Sequence, residues 1–176
     1  MRLFIAINFT RELSAELFKI IRELSNNALK GNFTRLENLH LTLVFLGESQ
    51  KLAEVKRAMD MVQAPKFTLS IRGFGVFPQD SGSLYWAGID NNLILNDIYN
   101  QLNSRLAEAG FAPEKRPFKP HLTLGRKVIL RRDFKIRQFE QRIGPLDMGV
   151  DSFSLMKSER TDGKLVYTKL YTRHLG

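Results

Sequence analysis

The chain has 176 residues and a mass of 20.3 kDa, which is enough for one domain with its own hydrophobic core. Its hydrophobic fraction of 43% and charged fraction of 26% are typical of a globular protein and argue against a disordered or fibrous chain. No cysteine is present, which excludes disulfides, thiolate catalysis, zinc fingers and iron–sulfur ligation.

The charge balance is strongly basic. Lys and Arg number 27 against 18 Asp and Glu, which gives a net charge of +9 with neutral histidines. Nine basic and three acidic residues between Phe111 and Glu140 place +6 of this charge in 30 residues. Such a balance favours a polyanionic partner such as nucleic acid, a phosphorylated ligand or an anionic membrane. A solvated surface is the alternative interpretation of the basic segment.

The N-terminal segment does not have the pattern of a targeting signal. Its apolar stretch is interrupted at Asn8, is soon followed by Arg11 and Glu12, and has no small-residue cleavage site. No run approaches the roughly 18 apolar residues that span a bilayer. We therefore expect a cytoplasmic protein without membrane association.

Hydrophobic periodicity predicts strands alternating with helices. In chain order the predictions are a strand at 3–9, apolar on both faces and so central; a helix capped by Thr10 with apolar positions 13–24; a strand at 40–46; a helix at 52–63; a β segment at 67–77, interrupted by two glycines; a strand at 83–89; a helix at 93–109 ending at Gly110; a strand at 121–125; a basic connector; and strands at 148–157 and 165–172. The last two are predicted to form a hairpin around 159–164, with Asp-Gly as its turn. This order predicts an α+β fold with helices on one side of each sheet.

A tetrapeptide repeats at half the length of the chain. The sequence His-Leu-Thr-Leu occurs at 40–43 and again at 121–124, a separation of 81 residues, although the whole chain has three histidines. A chance repeat around so rare a residue is improbable, and the spacing indicates two related halves that each offer an equivalent strand. The third histidine, His174, has no such context and is interpreted as a surface residue.

Strand geometry predicts what each repeat presents. Side chains alternate along a strand, so His40 and Thr42 share one face, as do His121 and Thr123, while the leucines of each copy face a core. If the two strands face each other, two imidazoles and two hydroxyls surround one small volume. A lone strand histidine or threonine is more often structural, but two matched pairs favour a functional site.

These residue types suit a phosphodiester. Cleavage needs a base for the attacking oxygen and an acid for the leaving oxygen, and histidine serves as either near neutral pH because its ordinary pKa is about 6.5. The hydroxyls of Thr42 and Thr123 can hold phosphate oxygens, and a guanidinium such as Arg126 can stabilise charge on phosphorus. In a regular strand, however, Arg126 points away from His121. The motifs contain no carboxylate or third histidine for a metal, so we expect metal-independent chemistry.

The paired motifs resemble those of the two-histidine (2H) phosphoesterase superfamily and, within it, the RNA 2′,3′-cyclic phosphodiesterases, historically called 2′-5′ RNA ligases. The resemblance covers nearly the whole chain and is carried by the opening MRLFIAIN strand, by ENLHLTL with FLG at 37–47, by YWAG at 85–88, by FKPHLTLGR at 118–126 and by the segment from 158 to 167. The motif positions themselves show no departure.

The resemblance implies a single bilobal domain over 1–176, with one motif in each half (40–43 and 121–124). Its expected fold is two mostly antiparallel sheets facing across a cleft, with helices outside and pseudo-two-fold related halves. It implies that His40 donates a proton to the leaving 3′ oxygen and that His121 accepts one from water, leaving a 2′-phosphate. Thr42, Thr123 and Arg126 would bind the phosphate, without any cofactor. The implied partner is RNA with a 2′,3′-cyclic phosphate end, such as a tRNA fragment. We expect the protein to act as a monomer, with reversible 2′-5′ RNA ligation as an accompanying activity.

Two alternatives remain open. The same acid–base pair could act on another cyclic or 2′-5′ nucleotide, or on the 3′ end of an RNA as an exonuclease. From a different class, a non-catalytic RNA-binding module would use the basic cleft for positioning only, although binding alone needs no matched acid–base pair. Several aromatic residues could stack on a base, but the sequence does not single one out: Phe4, Phe45, Tyr85, Trp86 and Phe118.

Overall fold

The structure, a computed structural model, describes residues 1–112 and 117–176. The described elements, in chain order, are β1 (Arg2–Asn8), α1 (Arg11–Asn26), β2 (Ala28–Phe33), a 3₁₀ turn (Leu36–Asn38), β3 (His40–Glu48), α2 (Leu52–Asp60), β4 (Phe67–Phe77), β5 (Ser83–Ile89), α3 (Leu93–Glu108), β6 (His121–Leu130), α4 (Ile136–Arg142), β7 (Leu146–Val150), β8 (Ser152–Thr161) and β9 (Lys164–His174). The predicted α+β class is confirmed. No helix in the described ranges is long and apolar enough to cross a membrane.

The strands form two antiparallel sheets. One has four strands in the order β3-β1-β8-β9, and the other has five in the order β2-β6-β5-β4-β7. The first sheet contains the strand of the first His-Leu-Thr-Leu motif, and the second sheet contains that of the second motif. The two motifs therefore lie on different sheets, as two strands facing across a cleft require.

The hydrophobic core contains the residues that the apolar pattern of the sequence predicts to be buried. β1 is central in its sheet and its residues 3–7 are buried, as its apolar pattern on both faces predicts. Helix α1 packs on β2, β6 and β7, whereas α3 packs on β3 and α2 packs on α3 and β9. The four motif leucines are all buried in this core: Leu41, Leu43, Leu122 and Leu124.

The predicted chain reversals are confirmed. Gly110 follows α3 with φ +81°, and the Phe111 amide donates to the Leu106 carbonyl, which is the left-handed helix end that glycine allows. Asp162 and Gly163 have φ +50° and +74° and join β8 to β9 as a tight hairpin turn. The flanking strands run up to this turn, so the hairpin loop is shorter than the predicted 159–164.

Several predicted elements were wrong or missing. Strand β2 was not predicted, and the basic connector after the second motif contains the rest of β6 and helix α4. The single strand predicted at 148–157 is two strands, β7 and β8, which belong to different sheets. The basic segment between Phe111 and Glu140 falls partly on 113–116, outside the described residues.

Candidate active site

A cavity of about 470 Å³, here called the central cleft, opens between the two sheets. Its walls come from β1, β3, β6, β8 and β9 and from the segment before β3. All five residues that the sequence singled out line this one cavity: His40, Thr42, His121, Thr123 and Arg126.

The first motif holds its imidazole in one orientation. His40 Nδ1 lies 2.8 Å from the Asn38 carbonyl oxygen, which can only accept, so Nδ1 carries the hydrogen. Nε2 then faces the cleft and lies 3.1 Å from Thr42 Oγ1. The ring packs against Phe4 and Tyr167, with centroid distances of 4.9 Å and 5.1 Å. Burial lowers the pKa of His40 below its ordinary value of 6.5, and the bond to the Asn38 carbonyl opposes this shift only in part.

The second motif repeats the same arrangement. His121 Nδ1 lies 2.8 Å from the carbonyl oxygen of Lys119, again two residues earlier in the chain. Nε2 is therefore the nitrogen that carries no hydrogen in this neutral imidazole as well. Unlike His40, the His121 side chain is exposed, and its ring lies edge to face with Trp86 at a centroid distance of 6.5 Å. The structure thus offers two Nε2 atoms, one on each sheet.

A β-bulge follows the first motif. Thr42 pairs with Ala6 of β1, but the adjacent β1 residue, Ile5, pairs with Val44. Strand β3 therefore contains one extra residue at this point, and the alternation of faces is reset. The next residue, Phe45, returns to the cleft side, where 76% of its surface is exposed.

The second motif is followed by the equivalent bulge. Thr123 pairs with Trp86 of β5, while the adjacent Tyr85 pairs with Gly125, so β6 also contains one extra residue. Arg126 consequently points into the cleft, and its Nη2 donates to Thr123 Oγ1 across 3.3 Å. The expectation from a regular strand, that Arg126 points away from the motif histidine, is wrong because this bulge reverses the side-chain parity.

The bulge in β6 is fixed from the neighbouring segment. Thr34 follows β2 and donates its backbone N–H to the Leu124 carbonyl at 3.0 Å. Its hydroxyl donates to the Thr123 carbonyl at 2.7 Å. Both carbonyls at the start of the bulge therefore have a partner, which stabilises the irregular backbone beside the cleft.

The cleft has further polar walls that sequence reasoning missed. Arg2, Thr34, Asn38, Arg160 and Tyr167 also line it. Burial raises the pKa of Tyr167, and the charges of Arg2, Arg126 and Arg35 oppose the rise. The only signal for these residues was that most of them lie in segments of family resemblance outside the motifs. The result is a cleft whose charged lining residues are arginines.

The basic segment, the third histidine and the expected absence of a metal were the remaining predictions. From the basic segment, Arg126 lines the central cleft, and Lys119 lines the cavities around His121. His174 is exposed at the end of β9, as predicted for a surface residue. Within the described ranges there is no group of three or more side chains of the types that ligate metals.

Two imidazoles from facing sheets, each followed two residues later by a threonine, with a guanidinium beside the second threonine, are the arrangement that the motifs of a two-histidine phosphoesterase predict. A family model for the 2′-5′ RNA ligase superfamily matches residues 11–162. The chain belongs to the 2′-5′ RNA ligase superfamily, as its motifs predict.

Curated relatives and solved structures agree with this family. The proteins named RNA 2′,3′-cyclic phosphodiesterase from Thermotoga maritima and Archaeoglobus fulgidus are each 31% identical to the chain, covering 97% of it and 94% and 98% of their own lengths. The crystal structure of Escherichia coli LigT complexed with 3′-AMP superposes with a TM-score of 0.80 at 28% identity, covering 99% of this chain and 97% of LigT. The protein TT0787 of Thermus thermophilus superposes with a TM-score of 0.78 at 25% identity, over 99% and 97%.

Proposed function

We propose that this protein hydrolyses 2′,3′-cyclic phosphate ends of RNA to 2′-phosphates without a metal ion. The observation that carries the proposal is the pair of equivalent Nε2 atoms, one from each sheet, in the central cleft. In-line displacement at phosphorus places the attacking and leaving oxygens on opposite sides, so an acid and a base on opposite walls fit this reaction. The names of the relatives, and the 3′-AMP in the LigT complex, support the same substrate class.

The phosphate would lie between the two threonines. Thr42 and Thr123 offer hydroxyl donors from opposite walls, and Arg126 adds a guanidinium beside Thr123. A guanidinium forms strong charge-assisted hydrogen bonds to phosphate oxygens and stabilises the charge that develops on them. The remaining arginines of the cleft, Arg2 and Arg160, would attract the next phosphates of the RNA strand.

His40 would donate the proton to the leaving 3′ oxygen. In the free protein the lowered pKa of His40 favours its neutral form, in which Nε2 accepts from the Thr42 hydroxyl. A bound phosphate anion favours the charged form of a neighbouring imidazole and draws the Thr42 hydroxyl to itself. Substrate binding would therefore raise the pKa of His40 and convert it into the acid that the reaction needs.

His121 would take the proton from the attacking water. Its Nδ1–H is held by the Lys119 carbonyl, which leaves Nε2 with its lone pair toward the cleft. The exposed position of His121 gives water access to this nitrogen. The water oxygen then forms the new bond to phosphorus while the bond to the 3′ oxygen breaks toward His40.

The domain organisation, the oligomeric state and the partner of the protein follow from the same cleft. We infer one bilobal domain that works as a monomer, because each sheet supplies one histidine to the same cleft. RNA with a cyclic phosphate end, tRNA fragments among them, would be its partner. With a 5′-hydroxyl in place of water as the attacking group, the same two histidines would join RNA ends by a 2′-5′ linkage.

The proposal is tested with a short RNA that bears a 2′,3′-cyclic phosphate, incubated with the protein in EDTA. We expect conversion to a phosphomonoester at the same rate with and without the chelator. RNA with a free 3′-hydroxyl end is the control, and its shortening would instead show an exonuclease. Binding of the cyclic end without conversion would contradict the proposal and favour an RNA-binding module.

A further inference from the structure

A second cavity, here called the aromatic pocket, lies on the other side of His121. It has a volume of about 380 Å³, within the range of ligand pockets, and it shares His121 with the central cleft. Its walls come from the end of β4, from β5, from the start of α3 and from the segment before β6. Besides His121, the residues that line it include Phe77, Trp86, Asn91 and Asn96.

The floor of the aromatic pocket is a flat aromatic surface built on glycine. Trp86 of β5 pairs with Gly75 of β4, and a Cβ at Gly75 would lie 2.0 Å from the indole ring. The missing side chain therefore lets the indole lie directly on the backbone of β4. Phe77 stacks beside it with a centroid distance of 5.7 Å and 57% of its surface exposed. A planar ligand would find an extended stacking surface here.

One wall of the pocket is polar. Asn96 Nδ2 donates to Asn91 Oδ1 at 2.9 Å, and both side chains line the pocket. This bond leaves Asn91 Nδ2 as a donor and Asn96 Oδ1 as an acceptor. A neighbouring donor and acceptor match the edge of a nucleobase, and adenine above all, which carries an amino donor beside a ring-nitrogen acceptor.

The position of His121 fixes which base this pocket can serve. We propose that the aromatic pocket binds the nucleobase of the nucleoside that carries the 5′ oxygen, on the far side of the scissile phosphate. This inference rests on the proposed function, in which His121 faces the attacking oxygen and His40 faces the 3′ oxygen. The 5′ oxygen of this nucleoside occupies the position of the attacking water, next to His121. The nucleoside attached to it therefore lies beyond His121, where the aromatic pocket begins.

The pocket then serves cleavage of a 2′-5′ linkage. The ribose 3′-hydroxyl attacks phosphorus, and its proton goes to His40. The bond from phosphorus to the 5′ oxygen breaks, and that oxygen takes a proton from His121. The products are a 2′,3′-cyclic phosphate and a nucleoside with a 5′-hydroxyl, which leaves from the aromatic pocket. Hydrolysis of the cyclic phosphate by water follows without a ligand in this pocket.

The binding experiment uses Trp86, which is the only tryptophan of the chain. Titration of the protein with adenosine, a nucleoside with a 5′-hydroxyl, is expected to change the Trp86 fluorescence saturably. Phe77→Ala should weaken this binding about tenfold, the loss expected when one base-stacking contact is removed. Leu29→Ala is the matched control, because Leu29 is 70% exposed on β2 and does not line the pocket, and it should bind like the wild type.

The kinetic experiment compares two substrates of the wild type and of Phe77→Ala: adenylyl-(2′-5′)-adenosine and adenosine 2′,3′-cyclic phosphate. We expect the ratio of 2′-5′ cleavage to cyclic-phosphate hydrolysis to fall about tenfold in the variant. An equal loss in both reactions would place the base of the cyclic nucleotide in this pocket and overturn the inference. An unchanged ratio, or no fluorescence response in a protein that hydrolyses the cyclic phosphate, would also overturn it. A protein that binds adenosine at Trp86 but hydrolyses no cyclic phosphate would refute the proposed function, while the nucleoside site itself stands.

Discussion

The guanidinium of Arg126 donates to the hydroxyl of Thr123 across 3.3 Å, within the same strand and three residues apart. The bulge between them turns both side chains to the central cleft. A permanent positive charge therefore lies beside a hydroxyl proposed to hold the phosphate.

Loss of this charge should slow the reaction. We expect Arg126→Ala to lower kcat/KM for the cyclic phosphate about 10²–10³-fold, the cost of removing one preorganised donor to a developing anion. The kcat/KM of Arg126→Lys should lie between those of the wild type and Arg126→Ala, because lysine keeps the positive charge but not the planar guanidinium. Arg57→Ala, an exposed arginine on α2 outside the cleft, is the control. Equal activities of the Arg126 and Arg57 variants would show that the guanidinium has no part in catalysis.

The two motif histidines should matter far more than the third. His40→Ala and His121→Ala should each lower kcat about 10²–10⁴-fold, the usual contribution of one general acid or base. His174→Ala should retain full activity because His174 is exposed at the end of β9. Steady-state kinetics of the three variants, with circular dichroism to confirm folding, makes the comparison. Near wild-type turnover in either motif variant would refute the two-histidine mechanism.

The protonation of His40 should depend on the ligand. Burial lowers its pKa in the free protein, so its NMR titration should have a midpoint below 6.5. Inorganic phosphate in the cleft should move that midpoint upward, because an anion favours the imidazolium. For an acid–base pair, kcat/KM plotted against pH is bell-shaped, and the lower of the two pKa values of the pair sets its acidic limb. Because burial lowers the pKa of His40, the decrease of kcat/KM with acidification should have its midpoint below pH 6.5. A midpoint that does not respond to phosphate would contradict the proposed charging of His40 by substrate.

The motif strands were predictable because their apolar faces are continuous. Leu41 and Leu43 alternate with polar residues over a strand that buries one face, and periodicity alone identifies such a pattern. The same reasoning identified β1, where both faces are apolar. The pairing of His40 with His121 followed from the repeat itself, without any tertiary information.

Other elements had no signal that periodicity can detect. Strand β2 is an edge strand with an exposed Leu29 and an internal Gly31, and α4 buries only Phe139. The bulges could not be predicted either, because an extra residue in a strand is recognised only from its pairing with the neighbouring strand. The orientation of Arg126 and the position of Phe45 depend on these bulges, and therefore only the structure reveals them.

The second bulge has no free space for a side chain at Gly125. A Cβ on Gly125 would lie 2.9 Å from both Phe33 and Val128, which are part of the packed core at this point. Gly125→Ala should therefore destabilise the protein by about 1–3 kcal/mol, as overpacking does. Gly149→Ala is the matched control, because no atom lies within 4 Å of its Cβ position. Urea denaturation measures both, and equal free energies of unfolding for the two variants would contradict this view of the bulge.

The regiochemistry of the product tests the central claim most directly. If His121 and His40 act from opposite walls, water enters on one side of phosphorus and only the 3′ oxygen can leave on the other. Hydrolysis of an RNA 2′,3′-cyclic phosphate followed by ³¹P NMR should therefore show a single product, the 2′-phosphate. A 3′-phosphate, or a mixture of the two isomers, would contradict the assignment of His40 as the acid and His121 as the base.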